Sequence, residues 1–227
     1  MIFITGLGKT GTSFVAECFR ELGFDPGGSF DQKVNAGWEY PPLHTLCREL
    51  LIGPMKARFP TCQWSEARLD QPISDTNPRP LRIRLQEALP PSTDALGQVV
   101  KSPLLLPLLD LWVHAGLVDR VVQPSRMLAH ITLSRAAWDP RLLPYIYEGE
   151  DADLVLLAAV GYGLQICTHH QIPMCRFRFP EVLNLKTTDS AIFCEELAAT
   201  TRRSLVDVET AVSTISRPET MRVGLGS

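Results

Sequence analysis

Apolar β-branched and aromatic residues from Ile2 to Thr5 form a short run that ends at Gly6, the signature of a first strand. Behind it Phe14, Val15, Cys18, Phe19 and Leu22 recur at helical spacing, with Gly23 as the stop. Residues 25–42 have loop chemistry, from Asp25-Pro26-Gly27-Gly28 to Tyr40-Pro41-Pro42. His44 to Ile52 reads as a helix with Leu46, Cys47, Leu50 and Leu51 apolar. Residues 53–80 hold five prolines and few periodic positions, which predicts an irregular stretch. Arg82 to Leu89 reads as a short helix ended by Pro90-Pro91.

From residue 98 the pattern becomes regular. Gln98 to Lys101 predicts a second core strand, followed by a Leu-rich helix from about 104 to Ala115 with Gly116 beyond it. Arg120 to Gln123 predicts a third strand and a helix follows through about Ala137. Leu154 to Thr168 is apolar nearly all round and predicts a buried helix. Met174 to Phe179 is a fourth strand, and Asp189–Thr200 and Ser204–Ser213 are amphipathic helices. Strands alternating with helices imply a three-layer α/β fold, a central parallel sheet flanked by helices. The expectation is one domain over 1–227, with an irregular insertion at about 53–97.

Composition narrows the class. The 227 residues carry 22 basic and 25 acidic side chains, a formal net charge of −3. An electrostatic nucleic-acid binder needs a basic excess, so no nucleic-acid partner is expected. No apolar run approaches the ~18 residues of a membrane span. The first residues lack the basic segment of a signal peptide, so a cytoplasmic protein with reduced thiols is expected from the six scattered cysteines.

The chemistry concentrates in Gly6-Leu7-Gly8-Lys9-Thr10-Gly11-Thr12-Ser13, between the first strand and its helix. Glycines let backbone N–H groups turn toward an anion, and the helix N-terminus adds its positive dipole end. Lys9 adds a full charge, and Thr10, Thr12 and Ser13 add hydroxyl donors. A tight strand–helix turn with an N-cap at Thr12 or Ser13 would not explain a lysine and three hydroxyls crowded onto one turn, so the pattern points to phosphate. Gly6, Gly8 and Gly11 match Gly-x-Gly-x-x-Gly, but no second strand leads to Asp25, the acid a dinucleotide site would use. Gly8-Lys9-Thr10 matches the end of a nucleotide P-loop, yet Phe3 stands where its first glycine belongs. The later strands end in Lys101 and Gln123 rather than in a magnesium-holding Asp. A magnesium-dependent kinase or NTPase is therefore the second reading.

Lys9-Thr10-Gly11-Thr12-Ser13 resembles the 5′-phosphosulfate loop of the sulfotransferases that use 3′-phosphoadenosine 5′-phosphosulfate (PAPS). That family's second motif is an Arg and, after seven residues, a Ser. Arg126 and Ser134 stand at this spacing behind the third strand, and Val99-Val100-Lys101 resembles the family's middle strand. The resemblance covers 1–23, 98–137 and, more loosely, 174–222. Two departures stand out. Pro124-Ser125 intervene between strand and arginine, and Lys101-Ser102-Pro103 replaces the Lys-Thr-His that supplies a catalytic histidine in cytosolic members.

The resemblance implies a P-loop-NTPase-like sulfotransferase fold and metal-free sulfuryl transfer from PAPS to a small-molecule acceptor, releasing adenosine 3′,5′-bisphosphate (PAP). Gly8, Lys9, Thr10, Gly11, Thr12 and Ser13 would hold the 5′-phosphosulfate, and Arg126 with Ser134 the 3′-phosphate. Lys9 would stabilise charge on the departing oxygen. Lys101, at a strand's carboxyl end, would reach the sulfuryl group or serve only the following helix. Asn35-Ala36-Gly37-Trp38-Glu39 resembles an acid-bearing stretch of bacterial and carbohydrate-type relatives, one residue shorter here. It makes Glu39 the favoured base, its pKa raised by flanking aromatics, with His44 as the alternative. His114 and His130 read as core or surface positions, and the adjacent His169-His170 as a poor metal pair. A non-catalytic nucleotide-binding relative and a homo-oligomer both remain open.

Overall fold

The computed structural model describes residues 1–6, 10–31, 36–52, 66–74, 77–91, 98–126 and 152–216. In chain order these form β1 (Ile2–Ile4), α1 (Thr12–Glu21), β2 (Phe30–Asp31), β3 (Ala36–Gly37), α2 (Pro41–Ile52), α3 (Glu66–Leu69), β4 (Pro72–Ser74), β5 (Asn77–Pro80) and α4 (Leu81–Glu87). There follow β6 (Val99–Lys101), a 3₁₀ helix (Pro103–Leu108), α5 (Leu109–His114), β7 (Arg120–Ser125) and α6 (Ala152–His169). The last elements are β8 (Met174–Arg178), a 3₁₀ turn (Glu181–Leu183), α7 (Thr188–Thr201) and α8 (Leu205–Ile215).

Four strands form one parallel sheet in the order β6-β1-β7-β8. The two-residue period of the strands sends Phe3, Val100 and Val121 to one face, where they meet α2, α4, α5 and Cys167 of α6. Ile2, Ile4, Val99, Val122 and Phe177 point to the other face and meet α1, α7 and α8. Trp112 of α5 closes on Phe3 edge-on, with ring centroids 5.6 Å apart. Helices thus cover both faces, as the alternating pattern implies. Arg84 of α4 grips Glu49 of α2 through two nitrogen–oxygen contacts of 3.0 and 2.6 Å.

Several boundaries differ from the sequence pattern. β7 runs on through Pro124 to Ser125 because β1 has ended at Ile4. Val122 O accepts from Thr5 N, so the donor that Pro124 lacks would have faced the same side, past the end of that neighbour. α2 begins at Pro41, since the first turn of a helix needs no N–H from Pro41 or Pro42. Within the stretch expected to be irregular, β4 and β5 pair as a two-stranded ribbon with no further strand among the described residues, and such edge strands tolerate Pro72, Pro78 and Pro80. The described end of α6 is not buried all round: Leu164 is 44% exposed, while Gly163 packs on Leu106 and Gln123. The helix expected through about Ala137 lies outside the described residues.

Cys18, Cys47, Cys167, Cys175 and Cys194 are free and buried. Burial raises all five thiols, Cys167 to about 11 and Cys175 to about 12, so none of them is a thiolate nucleophile near neutral pH. Among the described residues no helix is long and apolar enough to cross a membrane.

Candidate functional site

The candidate residues that the structure describes gather at the carboxyl ends of β6, β1 and β7, where open α/β sheets bind their ligands. Leaving β1, the Thr5 hydroxyl donates to Ser102 O at 2.9 Å, tying the start of the glycine-rich turn to the end of β6. Thr10 and Thr12 are buried and Ser13 is part-exposed. Gly11 caps α1 in the left-handed region, φ 101°, and as a glycine it offers no side chain to accept from the first turn of the helix. Its bare Cα also lies against Phe179: a Cβ there would stand 2.6 Å from the ring. Gly8, Lys9 and Ser134 lie outside the described residues.

Phe179 connects this turn with Arg126. The Arg126 guanidinium lies 5.9 Å from the same ring centroid. Phe179 is itself fixed by its N–H, which donates to Ser125 O at 2.8 Å. Because β7 extends to Ser125, Arg126 follows its strand directly, which removes the departure seen in the sequence. Burial pushes the Arg126 guanidinium below its ordinary range, and the nearby Glu181 charge opposes that shift.

At the end of β6, Lys101 is 1% exposed and pairs with the Glu39 carboxylate. Its Nζ also donates to Gly37 O at 2.8 Å. Ile4 and Lys101 are register partners, so this pair sits one strand from the glycine-rich turn. Burial lowers the ammonium pKa while Glu39 raises it. Close backbone packing sets Glu39 in place: Gly28, at φ 70°, leaves no room for a Cβ, which would fall 2.2 Å from Glu39 O. Trp38 N donates to Ser29 O at 3.1 Å alongside the β2–β3 hairpin.

The aromatic neighbours of Glu39 belong to different cores. Arg20 lies over the Trp38 ring at 3.8 Å, on the α1 side, whereas Tyr40 packs on the opposite cluster. The direct partner of the carboxylate is an ammonium, which the pattern of flanking aromatics did not anticipate. His44, in the first turns of α2, senses both charges. Burial lowers its pKa first, Glu39 raises it, and Arg48 and Lys101 lower it. Its Nδ1 is buried without a hydrogen-bond partner.

Ser102-Pro103 is a helix start. Ser102 Oγ accepts from Leu104 N at 3.2 Å, and Pro103 occupies the first helical position. Pattern reading missed two residues. Phe179 bridges the two motifs, and nothing local in the sequence marks it. Gln123 is buried in β7 with neither amide atom hydrogen-bonded; a polar residue closing the run Val121-Val122-Gln123 was the available signal.

Fold and site together define an α/β protein with a parallel four-stranded sheet and a charged cluster at the sheet's carboxyl edge. Comparisons of the chain with known protein families, curated proteins and solved structures match none of them.

Proposed function

We propose that the protein is a sulfotransferase that moves a sulfuryl group from PAPS to a hydroxyl, less readily an amine, of a small-molecule acceptor. The observation that carries the reading is the Gly11–Phe179–Arg126 contact, which brings together the described parts of two motifs lying far apart in the chain. A guanidinium can hold a 3′-phosphate through two parallel hydrogen bonds.

In this reading the 5′-phosphosulfate lies against the N–H groups of Thr10, Gly11 and Thr12 and the Ser13 hydroxyl, and Arg126 and Ser134 take the 3′-phosphate. The sulfur–oxygen bond to the 5′-phosphate breaks as the bond to the acceptor oxygen forms. Lys9 meets the charge left on the departing PAP oxygen. Glu39 takes the acceptor proton. Lys101 pairs with one of its carboxylate oxygens, and the Glu39 side chain stays part-exposed. Burial keeps His44 neutral to lower pH, so it is the competing base.

The test is conversion of PAPS to PAP coupled to sulfation within a panel of alcohols, phenols and amines, in metal-free buffer. Glu39→Gln should lower turnover by ~10²–10⁴-fold, while His44→Asn keeps most of it. The reverse outcome assigns the proton to His44. PAP binding without turnover on any acceptor makes the protein a non-catalytic relative. Magnesium-dependent hydrolysis of ATP supports the kinase or NTPase reading instead.

A further inference from the structure

We propose that Asp110, His114 and His170 form a three-ligand site for a divalent cation of the zinc class, clipping α5 to α6. This goes beyond the sulfotransferase reading and is independent of it. α5 leads away from the carboxyl edge of the sheet and ends before β7 starts at Arg120, and α6 ends before β8 starts at Met174. His114 and His170 therefore lie at the amino edge of the strands, away from Lys101 and Arg126.

The geometry is that of a ligand set. Asp110 and His114, four residues apart on α5, share one helical face. Asp110 Oδ1 lies 3.4 Å from His114 Nε2 and 3.6 Å from His170 Nε2. The three ligand atoms all lie within 4.8 Å of one another. Zinc bonds of ~2.0–2.1 Å place tetrahedral ligand atoms roughly 3.4 Å apart, so two of the three edges are already near that length.

The imidazoles are held as well as close. His170 N donates to Ile166 O at 3.0 Å, which anchors the residue to the last turn of α6. The His114 and His170 rings meet edge to face at 5.2 Å, and His169 backs His170 at 4.7 Å. Nitrogen and oxygen ligands without a thiolate suit Zn²⁺, whose filled d shell imposes no geometry and leaves a fourth position for water. All three side chains are part-exposed, so the cation can enter from solvent. The candidate partners of His170 are Asp110 and His114 on α5, not the adjacent His169.

The 227-residue chain, stripped with a chelator, should take up one equivalent of Zn²⁺ at pH 7.5 in equilibrium dialysis. Co²⁺ as a probe should give the intense visible absorption of a tetrahedral site. Zinc at a hundred times its dissociation constant should raise Tm by ~5–10 °C. His170→Ala and the shape-preserving Asp110→Asn should each lose the cobalt spectrum and the equivalent of zinc, whereas His169→Ala keeps both. No uptake at millimolar zinc overturns the proposal. So does uptake that survives in both His170→Ala and Asp110→Asn, because the cation then sits elsewhere.

Discussion

Lys101 is an ammonium taken almost wholly out of water, and its two described partners are the Gly37 carbonyl and the Glu39 carboxylate. The two halves of this ion pair are unequal: the Glu39 side chain is 23% exposed, that of Lys101 1%. Removing Glu39 strands a buried cation, for which breaking a buried pair typically costs ~3–5 kcal/mol. Removing Lys101 leaves a carboxylate that water still reaches. Urea unfolding should therefore find Glu39→Gln more destabilising than Lys101→Met, and the double variant less than the sum. Equal losses would mean the pair is solvated.

His44 adds a pH dependence with a definite sign. Its folded pKa lies below the ordinary value near 6.5, so on acidification the unfolded chain takes up the proton first. The His44 contribution is complete above about pH 6.5 and is lost as pH falls toward the folded pKa. His44→Asn should flatten the fall in Tm across that window. An unchanged slope would assign it to other groups.

At the scale of elements, α1 depends on a glycine that no other residue can replace. Gly11→Ala meets both a left-handed φ and the Phe179 ring, and the backbone term alone is ~1–2 kcal/mol, a fall in Tm of roughly 2–8 °C. Because Phe179 also carries Arg126, PAP affinity should fall with it. A variant with unchanged Tm and affinity would show that the turn is not held by this contact.

β1 and β6 were legible as short apolar runs, and α1 and α8 by their helical spacing; Thr187 and Ser204 mark the caps of α7 and α8. The end of β7 was hidden because proline ordinarily stops a central strand, and only the early end of its neighbour permits Pro124. β2 and β3 were hidden because two residues each carry no period. At the candidate site Lys101, Glu39 and His44 were each visible as chemistry-bearing types. The resemblance already placed them at one site, but the direct Lys101–Glu39 ion pair was hidden, since it depends on the close approach of Gly28 to Glu39.

At the scale of the whole molecule, the sheet separates two kinds of chemistry. The carboxyl edge holds the described part of the glycine-rich turn (Gly6 and Thr10 to Ser13), Arg126 and the Lys101–Glu39 pair, and the amino edge holds Asp110, His114 and His170. At the carboxyl edge, the proposed nucleotide is recognised by two phosphates at once. Titration calorimetry in metal-free buffer should show adenosine 3′,5′-bisphosphate binding more tightly than ADP, with no gain from magnesium. Arg126→Ala should weaken that binding by ~1.5–3 kcal/mol, roughly 10–150-fold, and leave ADP almost unaffected. Tighter, magnesium-dependent binding of ADP, with Arg126→Ala indifferent to the 3′-phosphate, would contradict the account.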